Sequence, residues 1–115
     1  MVRDDEERSS YRNPLRFTGE DESKWHDWSF KMLAYAHKKG YKEAFLTSFT
    51  FGSDKSHWSI EEKANKKMQK DAWAQLAFML ESHALQSVRS VTSRDPKEAW
   101  DKLKNEFEPN QMVDL

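Results

Sequence analysis

Two tryptophans three residues apart begin the strongest periodic pattern in this chain. Trp25 and Trp28 are followed at helical spacing by Met32, Tyr35 and Ala36, so all five fall along one face at ~100° per residue. An apolar stripe sustained over successive turns is typical of a helix that packs on a core. This pattern therefore indicates scaffolding rather than surface aromatics that wait for a ligand.

The same stripe predicts where its helix begins and ends. We expect a helix from about residue 23 to Gly40, because glycine just past the last turn is the usual left-handed cap. Lys38 and Lys39 suit the negative end of the helix dipole. The next six residues, 41–46, predict a short second helix with Tyr41, Phe45 and Leu46 turned inward. Residues 47–57 are rich in Ser, Thr and Gly and predict a loop.

Residues 58–83 form the longest helical pattern. Ser59 and Glu62 have the spacing of a capping box, in which each side chain satisfies an orphan backbone donor. The apolar positions then fall on two faces: Ile60, Ala64, Met68 and Ala72, followed by Trp73, Leu76 and Leu80. The sequence predicts either a bend near residues 69–71 or two halves that pack on different neighbours.

Two further helices are predicted after residue 83. Residues 84–91 place Leu85, Val88 and Val91 at apolar positions. The second helix, within residues 94–107, has Asp95 as N-cap, Pro96 in the first helical position, and Glu98 to complete the box. Its apolar face consists of Ala99, Trp100, Leu103 and Phe107. Without a hairpin loop or a β-branched run, the fold class expected is all-α, a compact orthogonal or bundle-like domain of about five helices.

The first residues differ in character from this helical body. Residues 1–13 are acidic and contain almost nothing apolar, so they predict a flexible arm. Residues 14–20 alternate apolar and polar side chains before Thr18-Gly19, a turn signal. We expect this segment to be a short extended arm that inserts Phe17 into the helical body.

Composition argues against several classes of function. The chain has no cysteine, which excludes disulfides and Cys-based zinc sites, and no two of its four histidines stand three or four residues apart. Three glycines leave no phosphate-cradling loop, and no nucleophile signature is present. We expect no enzyme, no metal and no cofactor. The sequence shows no signal peptide and no long apolar run. We therefore expect a cytoplasmic or nuclear protein without membrane contact.

One charge pattern stands out in a chain whose 19 basic and 20 acidic residues nearly cancel. Lys63, Lys66, Lys67 and Lys70 lie at i, i+3, i+4 and i+7, so they line one helical stripe. The stripe could be an assembly contact with an acidic neighbour such as Asp21–Glu22 or residues 4–7. It could also contact a polyanion, or it could be a solvated face. The near-zero net charge predicts that RNA binds only weakly, if at all.

Three motifs in order resemble the Gag polyprotein of copia-type LTR retrotransposons. "FTG" (17–19) precedes the two tryptophans, then "KDAWAQLAFML" (70–80) and "DPKEAWDKLKNEF" (95–107) follow. The resemblance places fold-defining core residues at Phe17, Trp25, Trp28, Met32, Leu76, Leu80, Trp100, Leu103 and Phe107. It implies a lobe like the N-terminal lobe of retroviral capsids over residues 14–108, with residues 109–115 as a linker or the start of a second lobe.

The resemblance also implies a function and its alternative. Such a lobe is structural and associates with copies of itself in a lattice of many weak contacts, next to a second capsid lobe. The zinc knuckle that binds RNA in this family needs cysteine, which these residues lack. The alternative is a domesticated Gag-like module that takes a partner peptide in a groove between helices.

Overall fold

The computed structural model describes residues 16–109, which fold into five α-helices. The helices are α1 (Trp25–Lys39), α2 (Glu43–Leu46), α3 (Ile60–Met79), α4 (Ser82–Arg89) and α5 (Pro96–Phe107), with 3₁₀ turns at Glu22–Lys24 and Lys55–His57. Within residues 16–109, β-type pairing is limited to one isolated bridge. The expected all-α class is therefore confirmed. The expected flexible arm, residues 1–13, and residues 110–115 lie outside the described residues.

Helix α1 follows directly from a capped 3₁₀ turn. The Asp21 carboxylate accepts the backbone N–H of Ser23 at 3.0 Å, which starts the turn that runs into the helix. At the other end, Gly40 has a φ of 92°, and its N–H donates to the Ala36 carbonyl at 2.9 Å. The glycine cap is thus confirmed, while the regular α-helix begins at Trp25, two residues later than predicted.

One of the three inward positions predicted for the short helix α2 is wrong. Tyr41 and Phe45 are buried as expected, but Leu46 is 41% exposed. Four residues separate Tyr41 from Phe45, which returns the chain to nearly the same face, whereas one further residue rotates the side chain by ~100°. Leu46 therefore turns away from the core at the end of a single-turn helix.

Helix α3 begins as the sequence predicts. The N–H of Ser59 donates to Oε1 of Glu62 at 2.9 Å, and the N–H of Glu62 donates to the Ser59 hydroxyl at 3.1 Å, which completes the capping box. The helix ends at Met79 rather than at residue 83, because Leu80 adopts an extended conformation with a ψ of 150°. It continues unbroken through residues 69–71.

The predicted apolar face of Ile60, Ala64, Met68 and Ala72 is wrong for its first two residues. Ile60 is 88% exposed and Ala64 is exposed, whereas Met68 is partly buried against the core and Ala72 is buried in it. The second half is buried through Ala72, Leu76 and Met79. The helix is continuous, and only its residues from Met68 onward pack on the core. The residues before Met68 are exposed or only partly buried.

The segment around Phe17 pairs with the junction between α3 and α4. The N–H of Phe17 donates to the Met79 carbonyl at 3.0 Å, and the N–H of Glu81 donates to the Phe17 carbonyl at 3.0 Å, around the parallel bridge of Phe17 with Leu80. The Thr18 carbonyl accepts the N–H of Ala84 at 2.9 Å. Helix α4 has no side-chain cap at its start. The Thr18 carbonyl therefore accepts a hydrogen bond from a backbone N–H that has no partner within the helix.

Helix α5 starts at the predicted cap, with one difference in detail. The Asp95 carboxylate accepts the N–H of Lys97 at 3.0 Å, and Pro96 occupies the first turn. The Glu98 carboxylate accepts the Ser93 hydroxyl at 2.8 Å, and the same hydroxyl accepts the Asp95 N–H at 3.2 Å. Ser93 therefore completes the arrangement that was predicted as a direct box between Asp95 and Glu98.

Aromatic rings from four segments meet at the centre of the fold. The Phe17 ring stacks on Trp28 with 5.1 Å between centroids, and Trp28 stacks on Trp100 at 5.6 Å. Phe45 reaches Trp100 at 5.2 Å, and Phe107 meets Phe17 edge-on at 5.4 Å. Large rings supply much apolar area per residue, so a chain with 37% hydrophobic residues can still build a core.

Candidate functional site

The nine residues expected to define the core are all buried. Their exposed fractions range from 0% to 7%: Phe17, Trp25, Trp28, Met32, Leu76, Leu80, Trp100, Leu103 and Phe107. None of these side chains is open to a ligand. A candidate functional site therefore has to come from the surface.

The four lysines predicted as a stripe come together around one surface cavity of about 370 Å³. The cavity is lined by Lys55, Trp58, Lys63, Lys66, Lys67 and Lys70, which we call the lysine patch. It lies along the first half of α3, whose residues before Met68 are exposed or only partly buried. Its lining contains five ammonium groups and no carboxylate. This is a concentrated positive surface on a chain whose net charge is −1.

The loop before α3 supplies the floor of the lysine patch. The rings of Phe51 and Trp58 lie 5.1 Å apart between centroids. The Nε1–H of Trp58 donates to the Gly52 carbonyl at 2.6 Å, and the N–H of Gly52 donates to Oε2 of Glu62 at 3.0 Å. These contacts fix the Trp58 ring against the start of α3. The indole N–H is already satisfied, so what the ring offers a ligand is its π-face.

Glu62 holds helix and loop together through its charge. One carboxylate oxygen accepts the Ser59 N–H and the other accepts the Gly52 N–H. These backbone donors, with Ser59 the larger cause, lower the pKa of Glu62 below its usual value. Both oxygens of the Glu62 carboxylate therefore hold the loop against the helix.

The lysines of the patch differ in their own partners. Lys67 pairs with Asp71 at 2.9 Å, four residues along α3. Lys66 lies 5.1 Å from the centroid of Phe51, and Lys55 lies 5.8 Å from that of Trp58. Exposed cation–π contacts of this kind contribute only ~0.5–1 kcal/mol.

Four of the five lysines have no acidic partner in the described part of the chain. Lys55, Lys63, Lys66 and Lys70 form no ion pair with any carboxylate of residues 16–109. An exposed lysine pair is worth little in any case, so these ammonium groups are available to an incoming anion. The lysine patch can therefore bind anions without first breaking a strong internal contact.

Sequence reasoning found the four lysines of α3 and missed Lys55, Trp58 and Phe51 as members of a site. The loop was recognised for its composition, and its aromatic residues are unusual for such a segment. A tryptophan immediately before a capping box was the available signal, because the cap fixes the position of its neighbour.

A second surface depression lies between α1 and α3. It has a volume of about 560 Å³ and is lined by Tyr35, Lys39, Tyr41, Asp71, Ala74, Gln75 and Phe78. The Tyr41 hydroxyl is buried and has no hydrogen-bond partner among the described residues. Burial also raises the pKa of Tyr41 far above its ordinary value. Phe78, at the same groove, is 58% exposed.

We also looked for metal-binding groups and membrane-spanning helices among the described residues. In residues 16–109, no three His, Asp or Glu side chains converge in a way that could hold a metal ion. His57 hydrogen-bonds Asp54 at 2.8 Å in an exposed 3₁₀ turn. None of the five helices is both long and apolar enough to cross a bilayer.

The fold and the surface define the chain as an all-α domain with a lysine-rich, aromatic-floored surface. Comparisons with protein-family models, curated proteins and solved structures find no match to it. Function is therefore inferred from the residues described above.

Proposed function

We propose that this chain is a structural, Gag-like capsid lobe of a retrotransposon or a Gag-derived protein, which self-associates through several weak contacts. The support is the way its motifs pack. Phe17 of "FTG" stacks on Trp28 of the first helix, and Trp28 stacks on Trp100 of the last. The motifs that carry the resemblance lie far apart in the chain, and their aromatic residues share one core.

Weak self-association is supported by apolar side chains that the core does not use. Phe30 is 74% exposed, Ile60 is 88% exposed and Phe78 is 58% exposed, each on a different part of the surface of α1 or α3. An obligate dimer buries a large continuous apolar face, whereas small separate contacts give low affinity unless a lattice multiplies them. Each contact on its own is expected near a Kd of ~1 mM, or about −4 kcal/mol.

Sedimentation or light scattering over a concentration series tests this proposal. The wild-type protein is expected to be monomeric at low concentration and to gain mass reversibly as the concentration approaches ~1 mM. Phe30→Ser and Ile60→Ser should each weaken that gain. His26→Ser, an exposed polar change on α1, is the matched control and should leave it unchanged. A protein that stays monomeric throughout would contradict self-association. A dimer that is stable at micromolar concentration would contradict the weak contacts.

A second candidate function is a module that binds a partner peptide between helices. The groove between α1 and α3 favours it, because the groove places the exposed ring of Phe78 beside the polar side chains of Lys39 and Gln75. An apolar side chain of a peptide could pack on that ring while the peptide backbone meets the polar groups.

Selection from a random peptide library tests the module. Peptides enriched on the wild-type protein should lose binding to Phe78→Ser and keep it with Leu46→Ser, a control at another exposed apolar residue. Failure to enrich any peptide that depends on Phe78 would exclude this groove. Any coding sequence found downstream of residue 115 would separate the two functions. A second helical lobe and a Cys/His knuckle support the capsid function, and unrelated domains support the module.

A further inference from the structure

The lysine patch has features that self-association does not require, and they point to a particular kind of anion. Its five lysines line one cavity, and only one of them, Lys67, has an acidic partner among residues 16–109. Lysine clusters of this kind raise the local concentration of polyanions even on a protein with no net positive charge. The contact would be local, independent of the overall charge of −1.

The length of the patch fits a short run of a phosphate backbone. Lys63 and Lys70 are seven residues apart on one helix, which corresponds to about 10 Å at ~1.5 Å per residue. One strand of a duplex carries a phosphate every ~3.4 Å along the helix axis, and an unstacked single strand is more extended, so this span holds at most about three successive nucleotides. Lysine binds phosphate as a point charge and does not need a fixed pairing geometry.

Trp58 distinguishes a nucleic acid from an acidic protein surface. Its ring lines the same cavity as the lysines and is held in place by Phe51 and by the hydrogen bond to Gly52. A carboxylate-rich protein surface would pair with the ammonium groups of the lysines but would make no contact that requires the Trp58 ring. An unpaired base can stack on it while the flanking phosphates meet the lysines. A duplex keeps its bases stacked inside and cannot use the ring in this way.

We propose that the lysine patch binds single-stranded nucleic acid, with up to about three backbone phosphates on the α3 lysines and one base stacked on Trp58. The inference is independent of the self-association proposed above. Lys55, which lies over the Trp58 ring, moves aside or contacts a further phosphate. The expected affinity is that of sequence-independent binding, a Kd of ~10⁻⁴ to 10⁻⁶ M. This agrees with the weak RNA binding expected from the net charge.

Fluorescence anisotropy with labelled oligo-U and oligo-dT of about 12 nucleotides, at several salt concentrations, tests the proposal. The variant carrying Lys63→Gln, Lys66→Gln and Lys70→Gln should bind at least about tenfold more weakly. Its salt slope should be shallower by about two, since each phosphate contact of a single strand contributes ~0.7. The matched control carries Lys24→Gln in the turn before α1 and Lys31→Gln and Lys38→Gln within α1. It loses the same charge and should bind within about twofold of wild type.

The stacking contact is tested separately. Trp58→Leu should weaken binding at least about fivefold and leave the salt slope unchanged, because it removes a base contact and no charge. Trp58→Phe keeps a ring and should retain most of the affinity, which also guards against a folding defect in the leucine variant. Circular dichroism and thermal melts establish that each variant is folded. The two oligonucleotides show whether RNA or DNA is preferred.

Several results would overturn the proposal. Equal losses in the two lysine variants would mean that only total charge matters. Duplex or heparin bound as tightly as the single strands, with no effect of Trp58→Leu, would mean a polyanion contact without base stacking. Loss of self-association in the Lys63, Lys66 and Lys70 variant, with no binding of either oligonucleotide by wild type, would assign the lysine patch to an acidic surface of another copy.

Discussion

The backbone of Gly19 lies against the ring of Phe107 so closely that a β-carbon on residue 19 would stand 2.7 Å from Cε1 of that ring. Gly19 also has a φ of 84°, a conformation that favours glycine. The preceding residue, Thr18, gives its carbonyl to the start of α4, and Phe17 enters the aromatic core. Each position of the "FTG" motif therefore has a separate physical role.

Gly19→Ala is expected to be among the most damaging small substitutions in the protein. It adds backbone strain and a clash with Phe107, for a combined loss of about 2–4 kcal/mol in the free energy of unfolding. Gly40→Ala is the matched control, because Gly40 also has a positive φ but a β-carbon there would meet nothing within 4 Å. It should cost only about 1 kcal/mol. Denaturant melts measure both, and equal losses would show that the contact with Phe107 does not matter.

Trp28→Ala and Trp100→Ala should each lower the free energy of unfolding by roughly 3–5 kcal/mol. Both rings are buried, with 4% and 5% exposed, and they stack on each other in the aromatic core. Phe30→Ala removes a ring that is 74% exposed on the same helix as Trp28, and should change stability by no more than about 0.5 kcal/mol. Melts of the two tryptophan variants that matched wild type would contradict the core assignment.

Tyr41→Phe is expected to raise the free energy of unfolding by about 1 kcal/mol, because it removes a buried hydroxyl that has no partner among residues 16–109. The ring itself stays in place against Phe45. Tyr35→Phe, which changes a half-buried tyrosine on α1, should have little effect. If Tyr41→Phe proved clearly destabilising, the hydroxyl must have a hydrogen-bond partner in the folded protein.

The anchor at Glu62 should weaken in acid. Its pKa is lowered in the folded protein, so its stabilising contribution is fully present above the unfolded value of ~4.3 and is lost as the pH falls through the lower folded value. An NMR titration should show the amide of Gly52 shifting with a midpoint below that unfolded value. The shift should vanish in Glu62→Gln. A midpoint at or above the ordinary glutamate value would mean that the carboxylate does not hold the loop.

The sequence predicted the elements that depend on local signals. The caps at Ser59 and Gly40 and the stripe from Trp25 to Ala36 depend on residues within a turn or two of one another, and such patterns can be read from a single chain. The all-α class followed from them. The lysine stripe was readable for the same reason, since its spacing is that of one helix.

What could not be predicted depends on contacts between distant segments. Ile60 is apolar and correctly spaced, yet nothing in the chain states that its helix packs on the core only from Met68 onward. At the break after Met79 the chain pairs with Phe17, more than sixty residues earlier, whose N–H donates to the Met79 carbonyl and whose carbonyl accepts the N–H of Glu81. Trp58 became part of a surface only because Glu62 and Gly52 fold its loop back.

Helix α3 is one continuous rod with only its second half packed on the core, so its two halves should differ in local stability. Amide protons between Ile60 and Lys67 can exchange with solvent through fraying of the outer turns, while those after Gln69 exchange only when the core itself opens. A molecule that settles on the outer turns would slow exchange in that half alone. The helix thus contains its own internal reference. Exchange rates in the inner turns measure the stability of the domain, and those in the outer turns show whether a ligand is bound there.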